Sequence, residues 1–130
     1  MKAHTPDTIR PPFARYSHAV EVPPGHRLLA LSGQLGIAPD DTIPEAAGAQ
    51  ADLCFANIDA ILAEAGLDRS AIVRVNAYVT ARSHLPDYMA ARDRYLDAVD
   101  PPPASTLMIV SGFAREIFKV EVEVLAAAPV

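Results

Sequence analysis

The strictest hydrophobic alternation in this chain lies near its end. Phe118, Val120, Val122 and Val124 occupy one parity, and Lys119, Glu121 and Glu123 the other. A period of two in a β-branched run predicts a strand with one apolar and one charged face. Shorter apolar runs at Ser17–Val22, Arg27–Ser32, Ile72–Thr80 and Ser105–Val110 read the same way, with the last strand drawn over Ile117–Ala126. Two segments switch to helical spacing. In the first, Ile43–Ala65, the residues Cys54, Ile58, Ile61, Leu62 and Ala65 form one stripe, and Gly66 is placed to end it. In the second, Leu85–Val99, the inward residues are Leu85, Met89, Tyr95, Leu96 and Val99, with Ser83 or His84 at its start.

Proline punctuates these elements. The chain has twelve prolines, clustered at Pro11-Pro12, Pro23-Pro24 and Pro101–Pro103, where a missing donor and a fixed φ mark boundaries. Pro23-Pro24-Gly25-His26 reads as the turn of a hairpin joining the first two strands. The resulting order is ββαβαββ: an α+β domain with a mixed sheet and two helices on one face. The other face, carrying Arg74, Asn76, Tyr78, Lys119, Glu121 and Glu123, is then bare in a monomer. It is either solvated or packed against copies of the chain, and a closed oligomer is the favoured reading.

Composition narrows the classes. The 130 residues, 51% hydrophobic and 21% charged, fit a single folded domain, 1–130, with residues 1–11 expected to be flexible. No apolar run approaches the ~20 residues of a membrane helix, and the N-terminus lacks a signal-peptide core, so a cytoplasmic protein is expected. A net charge of −5 with scattered lysines and arginines argues against nucleic acid as a partner. One cysteine, Cys54, excludes an intramolecular disulfide, and its place on the helix stripe reads as a small buried hydrophobe rather than a nucleophile. His4, His18, His26 and His84 share no ligand spacing with Cys54 or an acid cluster, so neither a metal nor a cofactor is expected. Nucleotide-phosphate and serine-hydrolase motifs are missing too.

Three short loci remain: Tyr16-Ser17-His18, Ser32-Gly33-Gln34, and Ala104-Ser105-Thr106 with Glu121. Each has an ordinary reading as a strand cap or turn. A glycine after a strand can also admit a ligand to bare backbone, and a half-buried carboxylate can serve chemistry.

Taken in order, these loci resemble the Rid family, the reactive-intermediate deaminases first known as L-PSP endoribonucleases. The matching pieces are Tyr16–Val20, Ser32–Gln34, Gln50–Asn57, Ala63–Gly66, Pro103–Thr106 and Lys119–Glu123, spread over residues 12–127. The resemblance implies a chorismate-mutase-like fold assembled as a homotrimer, with small-molecule clefts between subunits. It implies that Glu121 orients a water toward an imine carbon, and that Tyr16, Ser32, Gly33, Ser105 and Thr106 line the cleft.

One departure bears on mechanism. The family's carboxylate-binding arginine falls on Ala104. An alanine cannot replace a bidentate guanidinium, a loss of a few kcal/mol, on the order of 10²-fold in rate. Arg92, where the resemblance to the family's deaminating members leads one to expect asparagine, or Arg15 could supply a relocated charge; both also read as solvated surface residues. The expected activity is therefore deamination of an imine, enamine or related metabolite, inefficient on 2-aminoacrylate-type substrates. The alternative is a non-catalytic metabolite-binding or partner-modulating trimer. Ribonuclease activity, which only the older family name suggests, is the weakest reading.

Overall fold

The computed structural model describes residues 1–130. In chain order its elements are strands β1 (Lys2–His4), β2 (Ala19–Glu21), β3 (His26–Ala30) and β4 (Gln34–Leu35), helix α1 (Ala47–Glu64), strand β5 (Ile72–Val79), helix α2 (Leu85–Leu96), and strands β6 (Ala104–Ile109) and β7 (Val120–Pro129). β3, β7, β5 and β6 lie side by side in that order, with β4 also paired to β7. Only β5 and β6 run parallel, bridged by α2, so the sheet is mixed.

The alternation seen in the sequence sets the two faces. Val75, Ala77 and Val79 of β5, with Val120, Val122 and Val124 of β7, are buried against Ala51, Cys54, Ile58 and Leu62 of α1 and Tyr88, Tyr95 and Leu96 of α2. Arg74, Asn76, Tyr78, Glu121 and Glu123 stand half-buried on the opposite face, which no helix covers. Lys119 does not join them. Its backbone N–H and its ammonium turn toward Gln50 and Glu45, at the entry to α1.

Several boundaries differ from the periodicity reading. The expected hairpin does not form: β2 pairs with β1, and β3 pairs with β7. Pro23 and Pro24 offer no N–H where a ladder would have to leave the turn. The N-terminal stretch expected to be flexible contains β1, so its first residues are laid along β2. Helix α1 begins at Ala47 rather than Ile43, because Ala46 is extended and the Gln50 amide holds the Pro44 carbonyl outside the helix. It ends as expected, with Gly66 at φ +72 and Leu67 N–H donating to Leu62 O at 2.8 Å. Helix α2 stops at Leu96 instead of Val99, where the Arg15 guanidinium takes the carbonyls of both residues. Its buried face holds Tyr88, Ala91 and Arg92, while Leu85 and Met89 are only half-buried.

Candidate functional site

The residues singled out from the sequence fall into three places in one protomer. The first lies under the N-terminal arm, between α2 and the edge strand β6. Ser17 fixes the arm there: its N–H donates to Pro103 O at 3.1 Å and its hydroxyl to Pro102 O at 2.6 Å. Arg15 clamps the same segment to the C-terminus of α2, donating to Leu96 O and to Val99 O in the turn after it, so its donors are spent on backbone carbonyls. Tyr16, held between these anchors, lines a cavity of about 290 Å³ with Arg92, Ser105, Phe13, Met89 and Leu107. The Phe13 N–H donates to the Tyr16 hydroxyl at 3.2 Å, which leaves the phenol hydrogen free.

Arg92 dominates this cavity electrically. It is 3% exposed, so it is not the solvated arginine the sequence allowed. Its Nη1 donates to Ser105 Oγ at 3.4 Å and its Nη2 to Asp93 at 3.3 Å, both long, and Nε has no partner. A guanidinium carries five donors, and here the one carboxylate in reach, that of the exposed Asp93, makes only a long ion pair and leaves Nε unpaired. One turn earlier on the helix, the Tyr88 hydroxyl is also buried without a partner, and burial holds its ionisation above the normal phenol range.

The second place is on the uncovered face. Glu121 stands opposite Tyr78 of β5 and Leu35 of β4. Its carboxylate lies directly against Gly33, where a β-carbon would be 2.4 Å from Oε1. The glycine after β3 is thus the room that this side chain occupies. Ser32 beside it is exposed, and its carbonyl accepts from the Gln34 amide at 3.1 Å.

The third place holds Ala104 and Thr106. In the β5–β6 register Ala104 stands beside Arg74 and Ser105 beside Val75, so Ala104 and Ser105 leave the sheet on opposite faces. Arg74 donates to Thr106 Oγ1 at 2.7 Å. Within one chain, therefore, Tyr16, Arg92 and Ser105 come together on the helix side. Gly33, Glu121, Ala104 and Thr106 belong to the other side of the sheet, with β5 between Glu121 and the arginine cavity.

A larger cavity, about 560 Å³, opens where the C-terminal halves of the helices meet the turn after α1. Arg69 grips Asp59 with two nitrogens, Nε to Oδ1 at 3.1 Å and Nη2 to Oδ2 at 2.7 Å. The Tyr95 hydroxyl donates to Asp59 at 2.6 Å, and the guanidinium lies 4.2 Å over the Tyr95 ring. This arrangement holds Arg69 above its ordinary pKa through the Asp59 bond. Sequence reasoning missed the cluster because its members come from three elements with no shared spacing. Its charges satisfy one another, so it staples α1 to α2 rather than awaiting a ligand. Cys54 is buried as expected, with its thiol pushed up to about 12 by burial and, secondarily, by the charge of Glu121.

A mixed sheet with two helices on one face, and a glycine set against a carboxylate on the last strand, define an α+β protein of the Rid type. The chain belongs to the Rid family: the family model described as Endoribonuclease L-PSP matches residues 8–128. A RutC family protein of Aquifex aeolicus is 35% identical over 116 residues, covering 88% of this chain and 90% of that one. Among solved structures, YyfB of Yersinia pestis, a protein of unknown function of the conserved Rid family, superposes with a TM-score of 0.86 at 26% identity over 98% of both chains. RidA of an Antarctic Psychrobacter gives 0.73 at 27% identity, over 98% of this chain and 100% of its own.

Proposed function

We propose that this chain hydrolyses a small carboxylate-bearing imine or enamine in a cleft shared between copies of itself, assembled as a homotrimer. The observation that carries the reading is Arg92: a buried, under-bonded guanidinium facing a 290 Å³ cavity beside Tyr16 and Ser105. A substrate carboxylate would supply a closer, better-shaped anion than the exposed Asp93 at 3.3 Å. Arg92, not Arg15, is then the relocated anchor, since Arg15 is committed to the end of α2. Glu121 acts on the other side of the reaction. It orients a water and accepts a proton as the oxygen adds to the C=N carbon; ammonia leaves and a carbonyl product remains. Because Arg92 and Glu121 lie on opposite faces of one sheet, the pair becomes a site only when a second copy brings its Glu121 to the cavity. An anchor reaching in from α2 instead of from position 104 supports a specificity away from 2-aminoacrylate-type substrates.

The test generates 2-iminobutyrate with an amino-acid oxidase and follows ammonia release. Wild type is expected to turn over slowly, Arg92→Met to lose binding, and Glu121→Ala to lose on the order of 10²-fold or more of any activity. Wild-type turnover as fast as that of an arginine-bearing Rid protein overturns the altered specificity. Ala104, which leaves the sheet without a cation, favours the second reading of a non-catalytic metabolite binder. Calorimetric binding of 2-oxobutyrate that depends on Arg92, with no turnover of any imine offered, would establish that reading instead.

A further inference from the structure

The arginine cavity is polar at one end and apolar at the other. Helix α2 runs back between the parallel strands β5 and β6, so it lies antiparallel to β6. Met89 and Arg92, three residues apart, share one face of the helix. Ser105 and Leu107, two residues apart, share one face of the strand. Arg92 reaches Ser105 at 3.4 Å, which sets Met89 one turn along toward Leu107, and all four line the cavity. The polar pair and the apolar pair are then about 4.5–6.6 Å apart, at 1.5 Å per helical residue and 3.3 Å per strand residue.

The N-terminal arm adds an aromatic ring to the same cavity. Phe13 is 81% exposed; among large apolar side chains only the C-terminal Val130 is less covered. The residue is nonetheless held. Its N–H donates to the Tyr16 hydroxyl at 3.2 Å, and the Arg10 guanidinium lies 3.9 Å over its ring. The Arg10 carbonyl in turn lies 2.8 Å from His18 Nε2. Arg10 takes one face of the ring, and the rest is apolar surface at the mouth of the cavity.

We infer that the ligand of this cavity is a 2-imino acid, or its enamine, whose apolar side chain is longer than ethyl, and that Phe13 and Met89 set this preference. The inference rests on Arg92 holding the substrate carboxylate, as proposed above, and names the class of side chain. With carbon–carbon bonds of about 1.5 Å, an ethyl group on the imine carbon reaches at most about 4 Å from the carboxylate carbon. It stops short of the apolar pair. A branched four-carbon or benzyl group reaches it, and buries surface of its own together with that of Phe13.

The experiment uses F13W as a reporter, because the chain has no tryptophan. The probes are pyruvate, 2-oxobutyrate, 4-methyl-2-oxopentanoate and phenylpyruvate, the carbonyl products of the corresponding imines, which share their carboxylate. Fluorescence titration of F13W and calorimetry of wild type should give the same order. Each added methylene is expected to tighten binding about 2- to 4-fold, and the four-carbon side chain to bind at least about 10-fold tighter than pyruvate. F13A and M89A should flatten the series to within about 3-fold and leave pyruvate unchanged, whereas R92M should lose all four ligands. Binding that depends on Arg92 but not on side-chain length would overturn the inference and leave the proposed function standing. A length preference kept in both F13A and M89A would overturn it too. Equal loss of all four ligands in F13A would make the ring a support for the arm and refute its selecting role. No Arg92-dependent binding of any probe would overturn both readings.

Discussion

Glu121 Oε1 would stand 2.4 Å from a β-carbon on Gly33, so the carboxylate and that glycine occupy one another's space. The atoms in the way are the end of a flexible side chain, which can swing aside at small cost. Gly33→Ala is therefore expected to fold with a stability change under about 1 kcal/mol while displacing the carboxylate. Imine hydrolysis should fall at least about 10-fold, because a base moved by an ångström is poorly aligned with its water. Unchanged turnover together with an unchanged melting temperature would show that Glu121 needs no such seat. Gly36→Ala is the contrasting control: its β-carbon would lie 2.6 Å from the Gln50 backbone, which cannot swing aside.

Gln50 is buried on α1 and holds three backbone groups from two distant segments. Its Nε2 donates to Pro44 O and Ile117 O, each at 2.9 Å, and its Oε1 accepts from Lys119 N–H at 2.8 Å. These bonds fix the chain one residue before β7 begins, which sets where Glu121 emerges. Gln50→Leu keeps the volume and removes all three partners. A loss of about 2 kcal/mol or more is expected by denaturant titration, larger than for an exposed glutamine. Destabilisation below about 0.5 kcal/mol would mean that water takes over these groups.

The parity of residues 118–124 was enough to divide β7 into core and uncovered faces, since the period of a strand leaves little freedom once one face is buried. Helix α1 and its glycine end were legible for the same reason: the stripe at Cys54, Ile58 and Leu62 and the left-handed Gly66 are local properties. What the sequence hid was pairing. β2 prefers β1 to its neighbour β3 because two prolines interrupt the connection, and no periodicity reports a missing donor. The separation of Ser105 from Ala104 was equally hidden; a motif read as one string lies on two faces of a sheet. Arg92 was visible as a candidate, but its burial follows from the way α2 lies on β6, a tertiary fact. Arg15 shows the reverse, a candidate cation that the fold uses to close a helix.

Burying Arg92 with only a 3.3 Å pair to the exposed Asp93 should cost the isolated fold stability, which apolar methionine would restore. Arg92→Met is expected to melt at or above the wild-type temperature, a gain of up to about 1–2 kcal/mol, while losing affinity for 2-oxobutyrate. The bonds given up are long ones, to Ser105 Oγ at 3.4 Å and to the exposed Asp93 at 3.3 Å. A drop of several degrees in melting temperature would identify Arg92 as a structural residue and remove it from the site.

The N-terminal arm offers a test by pH. His4 Nε2 meets Glu21 Oε2 at 2.6 Å across the β1–β2 ladder. That hydrogen bond first, and the charge of His4 second, hold the Glu21 carboxyl below its ordinary value near 4.5. A depressed carboxylate contributes stability above its ordinary pKa and loses it as the pH falls through the lowered one. The ladder between Lys2–His4 and Ala19–Glu21 should therefore hold at neutral pH and loosen at the acid end of the carboxylate range. In His4→Ala the Glu21 side-chain carbon should titrate at an ordinary glutamate position by NMR. The global melting temperature should barely move, because the pair is exposed and screened by salt. A Glu21 titration identical in the two proteins would refute the pairing and leave β1 held by backbone bonds alone.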